Sequence, residues 1–287
     1  MLPYKSVEEA EAALGRGLTA AETIWFNYSA NKSDFLLQSH NLLFLFLLSA
    51  IVPLYYTSLE LLFGNSLVAY KIQPKVKLNL SHCFSSYKST LRTFFLFVVP
   101  LFLGVSYPSS IQGKGSRSGL PLPSIWEIVA QLAVYFVVDD YLNYWIHRWL
   151  HCKWGYEKIH KVHHEYTAPN GFAALHDHWA EILLVGIPFS VGPALVPGHM
   201  ITLWLWTGLR SIHGVAIHSG YNLPWNPLKY IIPFYCGPEY HDYHHYIGGQ
   251  SQSNFGLVFT YCDYVYGTNK GYRYHKKLLH QEGLKSD

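Results

Sequence analysis

The stretch D-Y-L-N-Y-W-I-H-R-W-L-H-C-K-W-G-Y-E-K-I-H-K-V-H-H, residues 140–164, decides how the rest of the chain is read. It carries two histidine boxes, His147-x-x-x-His151 and His160-x-x-His163-His164, and a box of the second kind recurs at His241-x-x-His244-His245. One helical residue advances about 100°, so histidines at i, i+3 and i+4 share a face and each box can aim its imidazoles at one point. The boxes supply eight imidazoles, more than a single tetrahedral or octahedral ion takes from protein. Two metals is the economical reading.

Outward from the boxes, composition gives the class. Half of the 287 residues are hydrophobic, 17% are aromatic and only 14% are charged, against about 25% charged in soluble domains. That is the profile of an integral membrane protein, here all-α. A formal charge of +3 is too small to argue for nucleic acid, and the basic residues serve better as topology markers. Cys83, Cys152, Cys236 and Cys262 show no close spacing, so neither a zinc ribbon nor a disulfide framework is indicated. The N-terminus lacks the order of a cleaved signal peptide.

Residues 1–287 read as one membrane domain, with N-terminal membrane segments in 1–123 and the histidine-box region in 124–287. Ser6-Val-Glu-Glu9 has the pattern of a capping box opening a short helix, and Trp25, Phe26 and Tyr28 suggest an interfacial anchor. Residues 41–63, with Pro53 inside, are long enough to cross a hydrocarbon layer of about 30 Å. Lys71, Lys75, Lys77 and Lys88 follow with no acid among them between 64 and 90, which places that loop in the cytosol and leaves the side of the N-terminus open. A second span is expected over 91–107, a Ser/Gly/Pro-rich connector over Pro108–Pro123, and a third span over 124–146 that runs directly into the first box. Trp145, Trp149 and Trp154 flank that box as aromatics do at a bilayer surface. Residues 181–212 are apolar but broken by Pro188, Pro193 and Pro197. Since all boxes must meet on one face, they read as a re-entrant hairpin with legs of about a dozen residues. The polar tail, with Lys270, Arg273, Lys276 and Lys277, belongs with the cytosolic side.

Of seventeen histidines, His40, His82, His199, His275 and His280 stand outside any ligand pattern and read as surface or hydrogen-bonded core residues. Imidazole alone suits iron, zinc, copper and nickel. No H-E-x-x-H is present, because Ala168 stands where a zinc peptidase needs its second histidine, and the paired Glu-x-x-His helices of carboxylate di-iron bundles are absent as a set. An all-imidazole pair of irons beside a membrane suits dioxygen activation and oxidation of an apolar substrate.

The three boxes resemble those of the membrane fatty acid hydroxylase and sterol desaturase superfamily. W-G-Y-E-K-I-H-K-V-H-H-E-Y-T-A-P (154–169), H-S-G-Y-N-L-P-W (218–225), P-E-Y-H-D-Y-H-H-Y-I-G-G-Q-S-Q-S-N-F (238–255) and D-Y-V-Y-G-T (263–268) are similar to the plant sterol 4α-methyl oxidases. P-Y-K-S-V-E-E-A-E-A-A-L-G-R (3–16) and Y-K-I-Q-P-K-V (70–76) resemble the subtype acting on 4,4-dimethylsterols. The resemblance covers nearly the whole chain. It implies a monooxygenase of the endoplasmic reticulum with two non-haem irons and a cytosolic active site. Such an enzyme oxidises the 4α-methyl group through alcohol and aldehyde to a carboxylate with dioxygen. Electrons come from cytochrome b5 and its reductase, and a decarboxylating dehydrogenase acts next. It also adds His178 and His218 to the eight box residues as metal ligands.

Several carboxylates and histidines are candidates for orienting those ligands. Asp140, two helical turns before His147, could accept the second ring proton of that histidine, and Glu181 stands one turn after His178. His176 and His213 depart from the family pattern, and Ala216 falls where relatives often carry glutamate, which leaves carboxylate support for His218 in question and makes His213 a substitute. A sibling acyl hydroxylase or desaturase is the nearest alternative function. A histidine-rich metal transporter is another, but it needs ligands at mid-membrane depth, whereas boxes two and three lie among polar residues.

Overall fold

The computed structural model describes residues 4–106, 115–247 and 253–283, and among these there is no β-strand. The part of the expected connector at 108–114 and the final residue of the expected second span lie outside the described residues. The N-terminal helix forms as its sequence requires: Ser6 caps α1 (Val7–Leu14) by accepting the Glu9 amide, and the Glu9 carboxylate accepts the Lys5 amide. Thr19 and Glu22 form a full capping box at the start of α2 (Ala20–Ser29). Trp25 and Phe26 do not anchor this helix in an interface. They are 5% and 6% exposed, and Trp25 packs on His199 and Trp204 while its indole N–H donates to the Ser118 carbonyl at 2.9 Å. An indole that can bury its ring and still satisfy its N–H gains more from the core than from an interface.

Helix α3 (Asp34–Phe63) is the one helix among the described residues long and apolar enough throughout to cross a membrane, and it carries Pro53 within it. Leu43, Leu47, Ile51, Leu54 and Leu62 face outward, an apolar stripe with no protein against it. Helix α4 (Leu80–Thr93) continues through two π-helical stretches, Phe94–Val98 and Phe102–Ser106. Helix α5 (Ile125–Leu150) then runs unbroken from a Ser124 cap to the first histidine box, exposing Trp126, Val129, Val137 and Trp145 on one side.

The expected hairpin is a pair of helices, α6 (Trp179–Leu195) and α7 (Met200–Ile217), each longer than a dozen residues. Pro188 and Pro193 lie inside α6 instead of ending it. At about 1.5 Å per residue the legs are roughly 25 Å long. Helix α6 packs along α5 at Gly192, where an added Cβ would stand 2.8 Å from the Tyr135 Cα. The Trp206 indole, 0% exposed, locks α7 to the same pair by donating to the Phe189 carbonyl at 3.0 Å. Thr207 of α7 reaches Asn41 of α3. These contacts fix the C-terminal ends of α5 and α7 beside each other. Against them sit α8 (Pro238–Ile247), the loop 253–260, α9 (Tyr261–Tyr266) and the amphipathic α10 (Lys270–Gly283).

Candidate metal centre

Helix α5 ends by delivering His147 and its C-cap residue His151; α7 ends on its own C-cap, His218; α8 supplies His241, His244 and His245. The second box is not one regular helix. Tyr156–His160 is a π-turn, closed by the Lys161 amide on the Tyr156 carbonyl at 2.9 Å, and His163–Glu165 is a 3-10 turn.

The imidazoles gather into two groups, and the boxes divide between them. His147, His151, His160, His164 and His244 form the first; His163, His218, His241 and His245 form the second. Within each group the candidate ligand atoms all lie within 4.8 Å of one another. Thus the first box aims at one group, while the second and third boxes each divide between the two. The i, i+4 pairs 160/164 and 241/245 stay together, while His163 and His244 cross to the other group. Side chains four apart stack on one helical face, whereas His163 and His164 are adjacent in sequence and diverge by about 100°.

Hydrogen bonds fix which ring nitrogen faces inward. Nδ1 of His147 donates to the Phe255 carbonyl, of His244 to Ser253, of His218 to Gly214 and of His245 to Tyr166, at 2.7–3.0 Å. His160 Nδ1 donates to the Glu181 carboxylate at 2.6 Å. His163 Nδ1 lies 2.8 Å from Asp177 Oδ1, out of line for a hydrogen bond, and that carboxylate favours the proton on the Nδ1 side. A proton on Nδ1 leaves Nε2 as a bare lone pair.

Those lone pairs meet. His218 Nε2 is 3.1 Å from His163 Nε2, two acceptors face to face. In the first group His164 Nε2 is 3.1 Å from both His160 and His244, and one N–H could serve only one of them. His245 Nε2 is buried with no hydrogen-bond partner. Burial, reinforced by the neighbouring imidazoles, pushes His160, His164, His241, His244 and His245 well below the ordinary histidine pKa, so they are neutral. Neutral, converging and mutually repelling lone pairs are what a cation relieves, and the donor set fits two imidazole-rich metals.

Not every expected partner is where spacing or the family resemblance placed it. His178 joins neither group; it caps α6, with Nδ1 accepting the Ala180 amide at 3.3 Å. Asp140 does not touch His147, because the Phe255 carbonyl takes that proton; its Oδ1 accepts the Val258 and Phe259 amides instead. Glu181 contacts a box histidine, but it is His160, in the π-turn of the second box, and not His178. His213 gives no support to His218: its Nε2 donates to the Leu257 carbonyl. The Gly214 carbonyl does that work, so Ala216 leaves no role vacant. His176 bridges Ser86 and Glu165 away from both groups. Asp177 escaped the sequence reading; the signal was an acid set between two histidines, H-D-H at 176–178.

Both groups open on one cavity of about 120 Å³, whose walls include Leu150, Val185, Ile217 and Leu257. Arg210 and Asn143 add polarity. They donate to the two oxygens of the fully buried Asp139, at 2.7 and 2.8 Å, which neutralises the guanidinium beside an otherwise apolar wall. A small set of polar groups in an apolar cleft beside metal ligands is the usual composition of a ligand site.

A family model described as Fatty acid hydroxylase matches residues 132–268. Methylsterol monooxygenase 1-2 of Arabidopsis thaliana is 62% identical over 288 residues, covering 100% of this chain and 95% of the relative. Methylsterol monooxygenase 1-1 of the same plant is 59% identical, with both chains covered in full. A protein of Oryza sativa subsp. japonica named Very-long-chain aldehyde decarbonylase GL1-10 is 58% identical over 100% of this chain and 97% of its own. No solved structure matches.

Proposed function

Because this chain belongs to the fatty acid hydroxylase family, in the branch that contains the plant methylsterol monooxygenases, we propose that it oxidises the 4α-methyl group of 4,4-dimethylsterols stepwise to a carboxylate. The observation that carries the reading is the pair of imidazole groups with inward bare Nε2 atoms lining one apolar cavity. Two irons held there, by the nine gathered histidines, would supply dioxygen activation. The chain's own part is to bind and orient. Leu150, Val185, Ile217 and Leu257 shed water from a rigid hydrocarbon, the Asp139–Arg210–Asn143 cluster offers its polar contact, and Glu181 and Asp177 keep the His160 and His163 protons on the outer ring nitrogens.

The outward apolar faces of α3 and α5 support a multi-pass protein of the endoplasmic reticulum. The lysines of 64–90 and of α10 support a cytosolic centre that meets cytochrome b5 and its reductase, with a decarboxylating dehydrogenase downstream. The rice relative favours a second reading, decarbonylation of very-long-chain aldehydes. Expression in a methyl-oxidase-deficient host separates them. Loss of accumulated 4,4-dimethylsterol supports sterol oxidation; unchanged sterols with new alkanes support decarbonylation. Purified protein should carry about two irons per chain.

A further inference from the structure

The loop S-N-F-G-L-V-F-T, residues 253–260, touches the metal centre through the Phe255 ring, which packs on His147, His151 and His244, and through its backbone, most of whose polar atoms have an assigned partner. Two of its carbonyls face candidate ligands, Ser253 accepting from His244 and Phe255 from His147, while Leu257 accepts from His213. Its amides face two buried carboxylates on other elements. Asp263, in α9, accepts the Phe255 amide on Oδ1 and the Gly256 amide on Oδ2, at 2.9 and 2.8 Å. Asp140, in α5, accepts the Val258 and Phe259 amides, both on Oδ1, at 2.8 and 3.0 Å. Asp140 and Asp263 are each 0% exposed.

The rest of the loop is held as closely. Asn254 adopts φ 59°, a conformation asparagine tolerates, and ties to the Thr268 carbonyl and, by its amide side chain, to Tyr240 of α8. Gly256 has no room for a side chain: a Cβ would lie 2.3 Å from the Phe259 carbonyl oxygen and 2.9 Å from Asp263 Oδ2. Cys236 donates its thiol to the Gly256 carbonyl at 3.2 Å and its amide to Val258.

We infer that Asp263 is a positioning residue for the metal centre, acting through the 255–256 peptide plane to hold the carbonyl that sets the tautomer of His147. A peptide group links its amide and carbonyl rigidly, so fixing the N–H of residue 256 fixes the C=O of residue 255. Asp140 holds the planes of the Leu257 and Val258 carbonyls, which accept from His213 and the Cys236 amide. If the Phe255 carbonyl withdraws, the buried Nδ1–H of His147 loses its acceptor. The neutral ring then does better with its proton on Nε2, where it is no longer a metal ligand. His147 belongs to the first group, so that group should weaken first.

Oxygen usage makes the test specific. Asp140 uses a single oxygen for both amides, and its Oδ2 has no hydrogen-bond partner; asparagine can reproduce this. Asp263 uses both oxygens, Oδ1 also accepting from Thr268; asparagine would turn an N–H against an N–H. Full-length protein, purified in detergent, is stripped and titrated with cobalt(II) alone, read by its visible bands and by chelator competition. Asp140→Asn should bind both equivalents as the parent chain does. Asp140→Ala should also keep both, whereas Asp263→Asn should bind one equivalent about 10–100-fold more weakly, the usual cost of losing an orienting partner. Monodispersity on gel filtration serves as the folding check, and if the alanine variant aggregates the two asparagine variants decide. Parent-like affinity in a monodisperse Asp263→Asn chain, or equal losses in the two asparagine variants, would overturn the inference.

Discussion

Replacing Glu181 with alanine should cost the first metal position one to two decades of affinity. Its Oε1 sits 2.6 Å from His160 Nδ1, with both groups buried, so the ring proton is held on Nδ1 and Nε2 points into the group, 3.1 Å from His164 Nε2. Removal of the carboxylate lets the neutral ring carry its proton on Nε2, and one of the five donors of that group is then lost for part of the time. Orienting partners of this kind are worth about 10–100-fold in metal affinity, or about 1.4–2.7 kcal/mol. Glutamine separates orientation from charge: its amide oxygen accepts the same proton, and neutral hydrogen bonds are about half as strong as charged ones, so Glu181→Gln should lose less than about tenfold. The assay is iron(II) binding to detergent-purified protein in competition with a chromophoric chelator, with metal content after desalting as a second reading. Affinity within about twofold of the parent in Glu181→Ala, or a larger loss in Glu181→Gln than in Glu181→Ala, would refute the tautomer argument.

Other substitutions probe other parts of the argument. His178→Ala should remove only the α6 cap, about 1 kcal/mol of stability, and keep full metal content, whereas His218→Ala should lose metal from the second group; metal-to-chain ratios after desalting distinguish them. Glu22, held down to a pKa of about 2 chiefly by the Arg16 guanidinium and against the opposing effect of burial, has a folded pKa below the ordinary 4.5. Its contribution is therefore complete above that value and is lost as pH falls toward 2. Since Arg16 is half exposed, screening leaves about 1 kcal/mol, and melting curves of Glu22→Gln should lose that acid limb. Gly192→Ala drives a methyl into the Tyr135 backbone at 2.8 Å, so α5 and α6 must part, at about 1–3 kcal/mol, visible as a lower melting temperature in detergent. Ala216→Glu places a carboxylate at a buried position where His218 is already satisfied by Gly214; turnover should fall rather than rise.

Sequence alone determined what depends on short repeats and on composition. Helical spacing shows that His147 and His151, His160 and His164, and His241 and His245 must each share a face, because the geometry of a turn is local. The low charge content and the long apolar run at 41–63 pointed to the membrane class, and the three boxes pointed to a histidine-rich metal site, each without any knowledge of the fold. Tertiary structure decided how the boxes are shared. Whether His163 follows His164 or crosses to meet His218 depends on the π-turn before it and on where α7 ends. The proton partners were equally beyond the sequence. Four of the inward-facing rings are set by main-chain carbonyls, of Phe255, Ser253, Gly214 and Tyr166, and every residue has a carbonyl, so no residue type marks which ones serve. Asp140 shows the consequence: helical spacing aimed it at His147, two turns away, but the folded loop brought a carbonyl closer and left the carboxylate to hold the loop.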